Sequence, residues 1–162
     1  MDVNEHPDTF SHDEVVGLQN RWAAWIMTLG KVYREGGDYR RKAGDMITEM
    51  YAYDDGGVLF KPTRAAKVQF RDTKEQALSY FVGGSIAEDH GFALSPWSHI
   101  RFENHRIILE EGMALVMGNY FFTEANSGQE MKVEFTLGIK RADDGHPVIC
   151  LHHSSLPYDT RL

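Results

Sequence analysis

The sequence predicts an α+β fold in which helices pack on one face of a curved antiparallel sheet. Three observations lead there. Apolar residues recur at helical spacing over 15–32 and again over 43–51. The second half of the chain is a succession of strand-like runs separated by turn residues. One of those runs, 131–141, alternates strictly: Met131, Val133, Phe135, Leu137 and Ile139 against Lys132, Glu134, Thr136, Gly138 and Lys140. Helices followed by a strand meander favour a layered α+β domain over a parallel α/β one.

Taken in order, residues 1–10 read as a polar arm and residues 11–162 as one domain. Ser11 and Glu14 have the spacing of a capping box, and Val15, Leu18, Trp22, Trp25, Ile26, Leu29 and Val32 form the apolar stripe of the first helix. Gly36-Gly37 closes it, and Asp38 caps a second helix carrying Ala43, Met46, Ile47, Met50 and Tyr51. Two short strands are expected at 58–61 and 66–70. Pro62 between them indicates an edge or a bend, because proline donates no ladder hydrogen bond. Thr73 and Gln76 form a second capping box for a helix over 73–82, and 83–95 reads as loop. Strands follow at 97–104, 106–111, 113–123, 129–141 and 146–156, with turns at 126–128 and 143–145. Both parities of 113–122 are apolar or aromatic, so the outer face of the sheet is expected to meet a partner, and a homodimer is the simplest one.

The bulk properties exclude several function classes. A formal charge of −7, with Lys and Arg scattered among acids, lacks the basic patch that phosphate backbones require. No apolar run approaches the roughly 18 residues of a membrane span, and the polar start lacks the apolar core of a signal peptide. The single cysteine, Cys150, allows no internal disulfide and no cysteine-rich metal centre. The expectation is a cytoplasmic protein that binds neither nucleic acid nor membrane.

Two polar clusters carry candidate chemistry: Lys61-Pro62-Thr63-Arg64 with Tyr80 beyond it, and His152-His153-Ser154-Ser155 at the end of the last strand. Strict alternation along that strand would place Ile149, Leu151, His153 and Ser155 on the core side and His152 and Ser154 on the other. Adjacent histidines pointing apart do not ligate one ion. No H-x-x-x-H or C-x-x-C spacing occurs, so no metal site is expected. The plain alternative is that these hydroxyls and imidazoles satisfy backbone groups at a sheet edge.

The segments Phe60-Lys61-Pro62-Thr63-Arg64, Ser79-Tyr80-Phe81-Val82-Gly83-Gly84, Gly118-Asn119-Tyr120-Phe121-Phe122 and His152-His153-Ser154-Ser155-Leu156-Pro157 together resemble the iota-class carbonic anhydrases. The resemblance is to their metal-independent branch, which is related to the kinase II association domain, and it spans roughly 15–158. It implies the NTF2-like cone, no cofactor, and interconversion of carbon dioxide and bicarbonate. It places Thr63, Tyr80, His153 and Ser155 at the catalytic site, the hydroxyls orienting water and binding carbonate oxygens, His153 serving as general base. Thr63, Tyr80, Ser155, Lys61 and Asn119 would bind substrate; Arg64 matches the motif without an assigned role. Two other readings fit the same cone: a SnoaL-like cyclase or isomerase, which would pair a pocket carboxylate with His or Tyr, and a non-catalytic association module.

Overall fold

The structure, a computed structural model, describes residues 8–161; residues 1–7 of the expected arm lie outside the described residues. Among the described residues three α-helices come first: α1 (His12–Arg34), α2 (Tyr39–Met50) and, after a short strand, α3 (Lys74–Val82). Both capping boxes form. Ser11 Oγ accepts from the Glu14 N–H at 3.1 Å while the Glu14 carboxylate accepts from the Ser11 N–H at 3.0 Å. Thr73 and Gln76 do the same for α3. The Glu14 carboxylate is also gripped by both terminal nitrogens of Arg141, at 2.7 and 3.0 Å, which ties the start of α1 to the far end of the sheet.

Five strands make one sheet: β1 (Leu59–Lys61), β2 (Trp97–Glu110), β3 (Met113–Glu124), β4 (Glu130–Arg141) and β5 (Pro147–Ser155), in the order β1-β5-β4-β3-β2. All neighbours are antiparallel except β1, which joins β5 in parallel and makes the sheet mixed. The inner face takes Val133, Phe135, Leu137 and Ile139 from β4 and Val116, Tyr120 and Phe122 from β3. Against it pack Leu18, Trp22, Ile26 and Leu29 of α1, with Met46, Ile47 and Met50 of α2. Apolar area removed from water on this scale is the main stabilising term of the fold.

Two expectations need correcting. Residues 66–70 are not a strand. The N–H groups of Ala66, Lys67 and Val68 donate to the Glu88 carboxylate at 2.9, 3.0 and 2.7 Å, so a side chain takes the place of a neighbouring strand. The expected strands at 97–104 and 106–111 are one strand, β2, bent by a bulge at His105. Gly118 lies opposite that bulge, and a Cβ there would sit 2.2 Å from the Glu103 carbonyl oxygen.

A second bulge has a larger consequence. In β5, Ile149 pairs with Ile139 but Leu151 pairs with Gly138, leaving Cys150 as an extra residue. From there on the alternation is inverted. Gly138 again supplies the space: a Cβ on it would come within 2.9 Å of Leu151 Cβ.

Candidate active site

On the inner side of the sheet, between α1, α3 and the segment after β1, ten residues line a small cavity. Its volume is about 10 Å³ for the centre of a water-sized molecule, near the least that admits one ordered water. Trp22, Phe60, Pro62, Phe81 and Phe92 supply its apolar wall, and Thr63, Tyr80, Tyr120, His152 and Ser154 its polar groups. The five polar groups arrive on four supports. Thr63 follows Pro62 where the chain leaves β1, Tyr80 projects from α3, Tyr120 from β3, and His152 and Ser154 from β5.

The polar groups are joined. Thr63 Oγ1 and Ser154 Oγ lie 2.6 Å apart, and Ser154 Oγ and the Tyr120 hydroxyl 2.5 Å apart. The Tyr120 hydroxyl is 3.1 Å from His152 Nε2, and His152 Nδ1 is 2.9 Å from the Tyr51 hydroxyl. Trp22 Nε1–H donates to Tyr51 at 3.0 Å. Tyr80 accepts the Arg64 backbone N–H at 3.3 Å, and the Arg64 guanidinium lies 5.5 Å from the centre of the Phe92 ring. The segment carrying Thr63 and Arg64 is anchored from behind. Arg71, fully buried, holds the Asp89 carboxylate through two contacts of 2.7 Å, and Ser79 Oγ donates to the same carboxylate at 2.6 Å.

The structure brings Thr63 and Tyr80 to this cavity and does not bring His153 and Ser155 there. The alternation counted from Ile149 is inverted at the Cys150 bulge, so His152 and Ser154, 3% and 1% exposed, face inward. They stand beside Leu137 and Phe135 across the ladder. His153 and Ser155 lie on the outer face, in a groove with His105, Met117, Asn119, Glu134 and Thr136. Ser155 Oγ donates to Glu134 there at 3.4 Å. Asn119 belongs to the same outer groove, directly across from Glu134. Lys61 is in neither set: it pairs with His153 at the sheet edge and its Nζ donates to the Ser154 carbonyl at 3.2 Å, supporting the strand that carries Ser154. The residues missed by reading the sequence are Tyr120, His152 and Ser154. Gly138, an isolated glycine inside the clearest strand, is the signal that pointed to a bulge opposite.

Burial sets the protonation states. Desolvation pushes His152 down to about 3, with the neighbouring His153 adding to the effect, so the imidazole is neutral at physiological pH. Desolvation raises Tyr80 to about 12, the Arg64 N–H and Thr63 hydroxyl offsetting part of it. Tyr120 and Tyr51 are raised further, again by burial first. The cavity is therefore lined by uncharged hydroxyls, an imidazole and rings. Among the described residues no three His, Cys, Asp or Glu side chains converge so as to hold a metal ion.

Comparison with known proteins follows this geometry. Residues 13–156 match the family described as metal-independent carbonic anhydrase. A metal-independent carbonic anhydrase from Nostoc sp. is 37% identical over 154 residues, covering 92% of this chain and 75% of the relative. The crystal structure of an iota-carbonic anhydrase from a cyanobacterium, complexed with bicarbonate, superposes with a TM-score of 0.90 at 33% identity, covering 99% of this chain and 100% of that one. An NTF2-like protein from Shewanella oneidensis shares the fold alone, at 17% identity and a TM-score of 0.54 over 88% of this chain and 97% of its own.

Proposed function

The chain belongs to the metal-independent carbonic anhydrase family, and on that premise we propose that it interconverts carbon dioxide and bicarbonate in the cavity lined by Thr63, Tyr80, Tyr120 and Ser154. One observation carries the reading: four hydroxyls and an imidazole converge on a small cavity with an apolar wall, in a chain whose cyanobacterial relative was solved with bicarbonate. No Asp or Glu lines the cavity, which counts against a cyclase or isomerase that abstracts a proton with a carboxylate.

In hydration, a water oxygen bonds to carbon, a carbon–oxygen π pair moves onto oxygen, and the water loses a proton. Hydroxyls serve both ends. Their O–H groups donate to the oxygen that gains charge, in a cavity whose apolar walls strengthen such bonds. Their lone pairs position the water. The apolar wall of Phe60, Phe81 and Phe92 suits carbon dioxide. No lining group titrates near neutrality, so the proton leaves to solvent and is not stored on a side chain. His152 holds the network in place and does not act as a base near neutral pH.

The test is carbon dioxide hydration by the purified protein before and after exhaustive chelation with verified metal removal. Activity should survive chelation. Thr63→Ala and Ser154→Ala should each lower kcat by about 100-fold or more, while Tm shifts by no more than about 5 °C. Equal collapse of activity and stability in both variants would overturn the assignment of these residues. Exposed apolar side chains on the outer face of β3 also favour a homodimer through that face. A cytoplasmic setting fits the single cysteine and the acidic composition.

A further inference from the structure

Tyr51 does not line the cavity, yet it stands at the far end of the chain of polar groups that does. It is 1% exposed, and its hydroxyl has two partners, Trp22 Nε1 and His152 Nδ1. Indole is a donor only. The single Tyr51 hydroxyl hydrogen therefore has one acceptor, His152 Nδ1. Leaving that hydrogen unpaired in a dry interior costs about 1–3 kcal/mol, so the donation is enforced.

The consequence propagates. A neutral imidazole that accepts at Nδ1 carries its proton on Nε2. Nε2–H then donates to the Tyr120 oxygen at 3.1 Å. The Tyr120 hydrogen cannot point back at a protonated nitrogen and goes to Ser154 Oγ at 2.5 Å. Ser154, already accepting, donates to Thr63 Oγ1 at 2.6 Å. That leaves the Thr63 hydrogen outside the chain, and Thr63 borders the cavity beside the Tyr80 hydroxyl.

We propose that Tyr51 is a positioning residue that holds His152 in its Nε2–H form, so that Tyr51, His152, Tyr120, Ser154 and Thr63 donate in a single direction and Thr63 presents a hydroxyl donor to the substrate. An oxygen that accepts from Thr63 fits an unprotonated oxygen of bicarbonate better than its O–H end. This rests on the carbonic anhydrase reading for its chemistry, but the direction of the chain does not.

The experiment is ¹⁵N NMR of histidine-labelled protein at pH 7, with the His152 signals identified by their absence in His152→Gln. The wild type should show a bare Nδ1 and a protonated Nε2. Trp22→Phe removes a donor to Tyr51 without freeing the Tyr51 hydrogen, so it should keep that tautomer. Tyr51→Phe removes the fixed donor, so the preference should be lost and kcat should fall about 10-fold or more, with KM changing less. A protonated Nδ1 in the wild type overturns the relay and leaves the anhydrase reading standing. So does Tyr51→Phe that keeps both tautomer and rate. The expected tautomer in a wild type without hydration activity instead removes the functional reading, and with it the catalytic role given to the relay.

Discussion

His152 is held by rings as much as by hydrogen bonds. Phe60 stacks on it at 5.0 Å between centres, Tyr51 at 6.0 Å, and Trp22 meets it edge-on at 5.7 Å. Such a site has nothing to offer a second proton. Unfolding returns the imidazole to water, where its pKa is about 6.5. Between 6.5 and about 3 the unfolded chain binds a proton that the folded chain refuses, so stability falls as pH falls through that window. Above 6.5 the term is constant. From pH 6.5 to pH 5 the loss should amount to about 2 kcal/mol, taking roughly 1.4 kcal/mol per pH unit. Urea unfolding of the wild type and of His152→Gln at both values checks it. The difference in acid sensitivity should vanish in the variant, and equal sensitivity in both proteins would sink the idea that this histidine is buried neutral.

At the scale of elements, the β4–β5 ladder decides which pair of residues faces the cavity. Its bulge needs Gly138, because the residue opposite Leu151 has no room for a side chain. Gly138→Val should destabilise by about 1–3 kcal/mol through overpacking. It should cut hydration by more than that stability loss accounts for, since the strand carrying His152 and Ser154 must shift; paired Tm and rate measurements separate the two. If the variant matched the wild type in rate, the bulge would not set the geometry of the site. The same ladder shows what was legible in the sequence. Capping boxes at Ser11 and Thr73 depend on residues three apart, and the alternation of 131–139 on residues two apart, so both can be read locally. The facing of His152 depends on one extra residue in β5 accommodated by a glycine in β4, a cross-strand fact that alternation along β5 alone conceals. The segment 66–70 misled for a related reason: its N–H groups are satisfied by Glu88, some twenty positions away, and not by a strand. Thr63 and Tyr80 were legible through their motifs. Tyr120 stood in a quoted motif too, but only the fold shows that it bridges His152 and Ser154.

For the molecule as a whole, the sheet separates two surfaces of different character. The proposed site lies on the inner face, under α1 and α3. The outer face of β3 presents Met113, Leu115 and Met117, the last two 38% and 57% exposed, with Ile108 of β2 beside them. Phe121, on the same parity, is capped by the Arg101 guanidinium at 4.0 Å and needs no partner. The apolar part of this face is therefore confined to one half of the β2–β3 hairpin. That suits a symmetric contact between two copies, in which a patch meets itself, better than a broad docking surface. Met117→Lys places a charge where such a contact would exclude water, and an unpaired buried charge is costly. Analytical ultracentrifugation should show a dimer for the wild type and a monomer for Met117→Lys. Hydration activity per chain should be unchanged, because Met117 faces away from the cavity across the thickness of the sheet. A monomeric wild type would dispose of the dimer. A monomeric variant with lost activity would mean instead that the partner steadies β3, and through Tyr120 the hydroxyl network on its other side.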